Sequence, residues 1–267
     1  MRKTMKPIAI QEIPEHIQND VGTIYAIHFP KQGYTSDVGI IETANGTYVV
    51  KRAKGERFCA SLEKDAKALT CLSSTALPIP TLYRFHETKH KKEAWALLEY
   101  IEGETLQQAL EKETNEAKRQ ELIFRFGEML AKIHSTPCPR ELIGQKPWLD
   151  EMLEKAAYHL AHDHVDGTAE LLDELMKKRP APCPPTLIHG DFTIDNVLVR
   201  DGNMVGIIDW SGGAFGDPRY DAALAIRPKQ NAFQHESDVI VFFEGYGKKP
   251  ITKEEYEYFA NGLYEFF

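Results

Sequence analysis

His189-Gly190-Asp191-Phe192-Thr193-Ile194-Asp195-Asn196, followed thirteen residues later by Asp209-Trp210, is the stretch on which the reading of this chain turns. Before it, residues 186–188 (Thr-Leu-Ile) read as a short strand that follows a Pro-rich connector. After it, Val197-Leu198-Val199 begins a second strand, which turns at Asp201-Gly202-Asn203 into Met204-Val205-Gly206-Ile207-Ile208. That hairpin folds Asp209 back beside Asn196, and Asp191 stands five residues before Asn196. Two carboxylates and a carboxamide therefore gather at the strand ends of one hairpin. His-x-Asp at a strand end is, alone, an ordinary capped turn; a turn does not require the three groups in register.

Those groups suit phosphoryl transfer. A hydroxyl that attacks a γ-phosphate must lose its proton while negative charge spreads over the phosphoryl oxygens, so positioning and neutralisation do most of the catalysis. The spacing matches the catalytic loop of protein kinases, H-R-D-x-x-x-x-N with a later Asp. Gly190 stands where protein kinases have Arg, however, and Asp209 is followed by Trp-Ser-Gly instead of Phe-Gly. With Gly216-Asp217-Pro218-Arg219-Tyr220-Asp221 downstream, the pattern resembles the aminoglycoside phosphotransferase family of small-molecule kinases. The resemblance implies ATP or GTP as phosphate donor and Asp191 as the group that orients and deprotonates the acceptor hydroxyl. It makes Asn196 and Asp209 hard oxygen ligands for Mg2+. His189 becomes a brace for the loop, not the base.

The first hundred residues supply an independent check, since a kinase-like fold needs a strand lysine for the α- and β-phosphates and a helix acid to hold it. Residues 23–28, 38–42 and 47–51 are strand candidates, the last two joined at Asn45-Gly46, and together they read as a β-meander. Strand alternation puts Val49 and Lys51 on one face, with Val49 toward the adenine and Lys51 toward the phosphates. An exposed strand-end lysine beside Arg52 is the plain alternative. Leu62, Ala66, Leu69 and Leu72 then form the apolar stripe of a helix. At about 100° per residue, Asp65 falls about 45° from the centre of that stripe and Glu63 about 115° from it. Geometry favours Asp65 as partner of Lys51; the family usually has Glu at that position, and Glu63 stays a candidate.

Gly33-Tyr34-Thr35-Ser36-Asp37-Val38 lies between two strands and resembles the family's nucleotide-positioning loop. Its backbone N–H groups, with Ser36, would cover the β- and γ-phosphates. There is no GxGxxG or Walker A signature, so an ordinary hairpin turn fits as well. Glu99-Tyr100-Ile101 falls where the resemblance puts the hinge, and there the backbone groups of Glu99 and Ile101 would meet the purine edge.

The resemblance as a whole implies an α+β, two-lobed, protein-kinase-like fold. Residues 1–98 would be a small antiparallel-sheet lobe with one main helix that binds nucleotide, 99–103 the hinge, and 104–267 a larger, mostly helical lobe for catalysis and the acceptor, with ATP between the lobes. The second half agrees in pattern. Leu122, Ile123, Phe126, Met129, Leu130 and Ile133 mark a long buried helix capped by Thr114 or Asn115. An acidic helical stretch covers 148–178, and residues 179–185 are too Pro-rich for either helix or central strand. Residues 216–221 read as structural, with Asp217 as a helix cap and Tyr220 packing inward. His134, at a helix end, reads as a dipole partner, and the aromatic stretches at 242–246 and 264–267 read as core helices.

Composition narrows the partners. The chain has 267 residues and a formal charge of −8, which disfavours nucleic acid and anionic membranes as partners. The basic start is followed by an apolar stretch far too short for a secretory signal, and no run approaches a membrane span. Cys59, Cys71, Cys138 and Cys183 form neither a CxxC pair nor a disulfide framework, so a cytoplasmic location is expected. No Ala-Pro-Glu segment follows Asp209 to anchor an activation loop, which points away from polypeptide substrates. Acid-rich helices at 148–178 and 236–267 suggest a cationic or amine-bearing hydroxyl acceptor, although such acids also simply solvate helix faces. Drug resistance and metabolism would use the same machinery. A catalytically idle nucleotide-binding pseudokinase is the rival reading; such a protein would usually have lost one of Lys51, Asp191, Asn196 or Asp209, and all four are present.

Overall fold

Asn45-Gly46 turns one strand back on the next, and the sheet of the N-terminal half grows from that hairpin. In the computed structural model, which describes residues 7–30, 36–88, 90, 92–249 and 251–267, the chain divides into two units, one ending at Glu102 and one running Gly103–Phe267.

The first unit carries α1 (Glu15–Val21), β1 (Ile24–His28), β2 (Asp37–Thr43), β3 (Gly46–Lys54), α2 (Glu56–Leu72), β4 (Leu82–Thr88) and β5 (Glu93–Glu99). The five strands form one antiparallel sheet in the order β1-β2-β3-β5-β4. Alternation along β3 divides its side chains between two environments. Val50 points with Ile41, Trp95 and Leu97 into a core closed by Ile8, Ile13, Ile17 and Val21, all nearly inaccessible to solvent. Arg52 shares that side, where it pairs with Asp37 across β2 at 3.0 Å and lies 5.6 Å from the Trp95 ring. Lys51 takes the other direction, toward α2. The short helix α1 and the strand β4 are elements that sequence reading passed over, because α1 buries only Ile17 and Val21 and β4 alternates poorly.

The second unit begins with β6 (Glu104–Thr105) and α3 (Leu106–Lys112), the latter capped reciprocally by Thr105 and Gln108. Then come α4 (Glu116–Ser135), α5 (Trp148–His162), α6 (Ala169–Lys177), β7 (Thr186–Ile188), β8 (Val197–Arg200), β9 (Asn203–Ile207), β10 (Ala214–Gly216), α7 (Pro218–Ala225), α8 (Glu236–Tyr246) and α9 (Lys253–Ala260). Asn115 caps α4 by accepting the Lys118 amide. The acidic stretch expected as one helical run over 148–178 is two helices: Gly167 and the cap Thr168 interrupt it, and the amides of Asp166 and Gly167 donate to the Glu265 carbonyl. Residues 263–266 form a single tight turn of helix, not a longer core helix. Two small antiparallel sheets, β6-β8-β9 and β7-β10, complete the unit.

The helices α4 and α8 pack with unusually close backbones. A Cβ on Gly127 would stand 2.1 Å from the Phe242 carbonyl oxygen, and one on Gly245 would stand 1.9 Å from that of Phe124. This approach lets Phe126 stack on Phe192 at 4.5 Å and touch Phe242 at 5.5 Å between ring centres, which ties the helix pair to residue 192 in the loop after β7. Gly127→Ala should therefore force the helices apart and lower stability by at least about 2 kcal/mol, measurable as a lower urea midpoint; an unchanged midpoint would contradict this packing.

Candidate active site

The loop between β7 and β8 is held from behind by a buried carboxylate. Asp221, on α7 and fully inaccessible, accepts the His189 amide at 2.6 Å through Oδ2 and the Gly190 amide at 2.8 Å through Oδ1. Behind it, His134 Nε2 lies 3.4 Å from Oδ2, and His134 Nδ1 is hydrogen-bonded with the Tyr246 hydroxyl at 2.7 Å. His134, in the last turn of α4 as its reading as a dipole partner required, is thus also a link in a buried polar chain. Asp221 lies in the segment that sequence reading treated as purely structural. The available signal was a carboxylate within Tyr220-Asp221-Ala222-Ala223-Leu224-Ala225, since a charge in so apolar a run must find donors.

His189 fixes the other side. The Asp191 amide donates to Nδ1 at 3.2 Å, so the ring proton sits on Nε2, which donates to the Ile208 carbonyl at 3.0 Å. Both ring nitrogens are engaged, and the ring lies 4.6 Å from that of Trp210. Gly190 has φ +81°, and a Cβ there would meet the Gly212 carbonyl oxygen at 2.3 Å. Only glycine fits, which gives a physical reason for the departure from the protein-kinase Arg at this position.

Asp191 is partly buried. Its Oδ2 accepts Asn196 Nδ2 at 3.0 Å, and the same nitrogen donates to the Asp191 carbonyl at 2.8 Å. Burial raises the Asp191 pKa, opposed by His189, the Asn196 hydrogen bond and Lys229 and reinforced by the negative charge of Asp209. The hairpin explains why Asp209 is near: Val197 pairs with Ile207, and the Ile208 amide donates to the Asn196 carbonyl at 3.0 Å. Asp209 is exposed and has φ +64°, a left-handed conformation that Asp tolerates better than most residues. With its nitrogen turned into the loop, Asn196 would have Oδ1 to offer a metal. Two hard oxygens beside concentrated negative charge fit Mg2+, which takes few protein ligands and completes its shell from water and phosphate. Among the described residues no three His, Cys, Asp or Glu side chains gather into a closed metal cage.

In the first unit, Lys51 Nζ donates to Asp65 Oδ2 at 2.8 Å, and both side chains are buried. Asp65 shares the buried face of α2 with Leu62, Ala66, Leu69 and Leu72, while Glu63 is exposed. Val49 is half-buried and faces Ile40 and Leu98 across the sheet. Ser36 is buried at the entry to β2; Gly33, Tyr34 and Thr35 lie outside the described residues. Glu99 ends β5, where its amide donates to the Thr81 carbonyl at 2.9 Å and its carboxylate accepts the Thr81 hydroxyl at 2.8 Å. Ile101 follows it, half-buried.

Sequence reading missed three more groups near Asp191. Tyr264 places its hydroxyl 3.4 Å from Asp191 Oδ1, Arg227 lies over the Tyr264 ring, and Lys229 pairs with Asp195. The acidic residues on the helices mostly have cations of their own: Asp150 pairs with Arg179 at 2.5 Å, Glu154 with Lys146 at 2.7 Å, Asp173 with Lys177 at 2.5 Å, and Asp238 with Arg119 at 2.5 Å. The clamp yields a test. Asp221→Asn turns an amide N–H2 toward one of two backbone donors, and should lower stability by about 2 to 3 kcal/mol in urea unfolding; a loss below about half that would mean that the loop amides find other partners.

Comparison with known proteins bears on the family and the fold. The model of the phosphotransferase enzyme family matches residues 26–258. An aminoglycoside 3'-phosphotransferase of Niallia circulans is 24% identical over 247 residues, 89% of this chain and 91% of that protein. A homoserine kinase of Neisseria meningitidis is 29% identical over 147 residues, about half of each chain at 52% and 48%. Among solved structures, an aminoglycoside-3'-phosphotransferase of type VIII superposes with a TM-score of 0.78 at 20% identity, covering 94% of this chain and 97% of that one. The same kinase-like fold appears in the aminoglycoside phosphotransferase APH(4)-Ia in complex with ADP and hygromycin B, with a TM-score of 0.68 at 22% identity and coverage of 95% and 93%. The chain belongs to the phosphotransferase enzyme family, as a kinase-like enzyme with a small antiparallel-sheet unit and a larger helical one.

Proposed function

We propose that this enzyme moves the γ-phosphate of ATP or GTP to a hydroxyl of a small molecule, with Asp191 as the base. The observation that carries the proposal is the Asp191–Asn196 pair. One carboxylate oxygen is fixed by the Asn196 side-chain nitrogen at 3.0 Å, so the other, which the Tyr264 hydroxyl meets only at 3.4 Å, is the one to receive a hydroxyl proton in one defined direction. Removing that proton as the oxygen attacks phosphorus is general base catalysis: the new P–O bond forms as the bond from the γ-phosphorus to the β-bridging oxygen breaks, the nucleoside diphosphate leaves, and the proton ends on Asp191.

The chain's other residues have roles that follow from their chemistry. Lys51, kept in place by Asp65, carries a positive charge for the α- and β-phosphates. Ser36 and the loop before it would cover the β- and γ-phosphates, and Val49 would lie against the adenine. Because the Glu99 amide is already donated to Thr81, purine pairing here would draw on the Glu99 carbonyl and the backbone of Ile101. Asn196 and Asp209 would hold Mg2+, which when bound neutralises developing phosphoryl charge.

Aminoglycosides, macrolides and amino-alcohol metabolites are the acceptor classes in view. The similar proteins include an aminoglycoside 3'-phosphotransferase, a homoserine kinase and a hygromycin-B 4-O-kinase. Those acids on α5, α6 and α8 that are already paired within the chain add little to a preference for cationic acceptors. We place the enzyme in the cytoplasm on the spacing of its four cysteines, which suits a reducing compartment; separately, no helix among the described residues is long and apolar enough to cross a membrane.

The test is ADP release with Mg-ATP or Mg-GTP over a panel of amino alcohols, aminoglycosides and macrolides. Acceptor-dependent release is expected, falling at least about a hundredfold in Asp191→Ala. Release that survives this substitution would remove Asp191 as base, and nucleotide binding without turnover on a broad panel would favour an idle binding module. Asp209→Asn should weaken Mg-dependent nucleotide binding far more than Asp217→Asn, whose carboxylate caps α7; equal effects would mean that the metal is held elsewhere.

A further inference from the structure

Asp191 has a second contact that its role as base does not explain. Oδ2 is taken by Asn196 within the loop, but Oδ1 faces the hydroxyl of Tyr264, which comes from far along the chain. The phenol is held there from several sides. Leu263 and Phe266 beside it are fully buried, and the Glu265 carbonyl accepts the amides of Asp166 at 3.1 Å and Gly167 at 2.9 Å. The Arg227 guanidinium lies 4.4 Å from the centre of the Tyr264 ring and 3.6 Å from the Glu265 carboxylate. Burial and the nearby Asp191 charge push the phenol's pKa up. It stays protonated at neutral pH, so its role is to donate to the carboxylate.

A base that orients an alcohol orients water equally well. Water on Asp191 would attack the γ-phosphorus, form a P–O bond, break the bond to the β-bridging oxygen and leave its proton on the carboxylate, releasing ADP and inorganic phosphate. We propose that the Tyr264 hydroxyl holds the acceptor's place on Asp191 Oδ1, keeping water from the base until an acceptor hydroxyl displaces it. The proposal rests on the reading of Asp191 as base. At 3.4 Å the contact is long for O–H···O, where about 2.7 to 2.8 Å is usual. It occupies the oxygen yet yields to an alcohol that reaches a normal distance. Tyr264 would then be a positioning residue that sets the choice between alcohol and water.

The experiment compares wild type, Tyr264→Phe, Tyr264→Leu, and Tyr264→Phe combined with Asp191→Asn, all as the full chain with Mg-ATP. ADP and inorganic phosphate are measured without acceptor, and KM and kcat are measured with the best acceptor of the panel. Loss of the hydroxyl should raise acceptor-free hydrolysis about five- to tenfold and lower the acceptor KM, while kcat for transfer changes little. Adding Asp191→Asn should abolish the gain. A merely structural tyrosine would not shift the ratio of hydrolysis to transfer. Unchanged or reduced hydrolysis in folded Tyr264→Phe and Tyr264→Leu, with transfer to acceptor intact, would overturn the role of Tyr264 alone. Wild type that transfers phosphate to nothing would overturn the functional reading and this role with it.

Discussion

The course of the loop between β7 and β8 depends on one buried carboxylate. Asp221 has no access to water, so its charge must be met within the protein, and an unmet charge there would be strongly destabilising. The amides of His189 and Gly190 meet it. Once they do, the chain has a single course: the His189 ring reaches the Ile208 carbonyl, Gly190 crosses the backbone of Gly212, and Asp191 emerges against Asn196. The hydrogen bond from Ile208 to Asn196 then brings Asp209 to the same end of the hairpin. A buried carboxylate thereby sets the direction in which the Asp191 carboxylate points, and Asp191 is the group proposed as base.

The arrangement divides labour between rigid and replaceable contacts. Short, buried bonds fix the loop backbone, and the stacked rings of Phe126 and Phe192 tie it to α4 and α8. The carboxylate at its tip keeps one oxygen bound to Asn196 and the other in a long contact with Tyr264. In the smaller unit the same logic holds for Lys51: Asp65 presents its carboxylate from the buried face of α2 and fixes the ammonium that is proposed to meet the phosphates. Preorganisation of this kind is where phosphoryl-transfer enzymes obtain most of their rate.

Local pattern carried much of this. The Asn45-Gly46 hairpin, the stripe of Leu62, Ala66, Leu69 and Leu72, and the strand–loop–hairpin around Asp191 all declare themselves through periodicity and turn chemistry, and the Asp65 position follows from the helical angle. What was not legible is long-range. Asp221 looks like one more helix residue until its partners, some thirty residues away, are known. Tyr264 sits in an aromatic tail whose composition says only that it is apolar. The break at Gly167 depends on a carbonyl at Glu265, nearly a hundred residues later, and no window of sequence contains both.

Amide hydrogen exchange at His189 and Gly190, followed by NMR, measures the central claim most directly. If Asp221 holds the loop from the protein interior, these two amides exchange only through global unfolding, as slowly as the amides of Ile123 and Phe126 inside α4. Exchange at the rate of an open surface loop, with α4 still protected, would contradict the account.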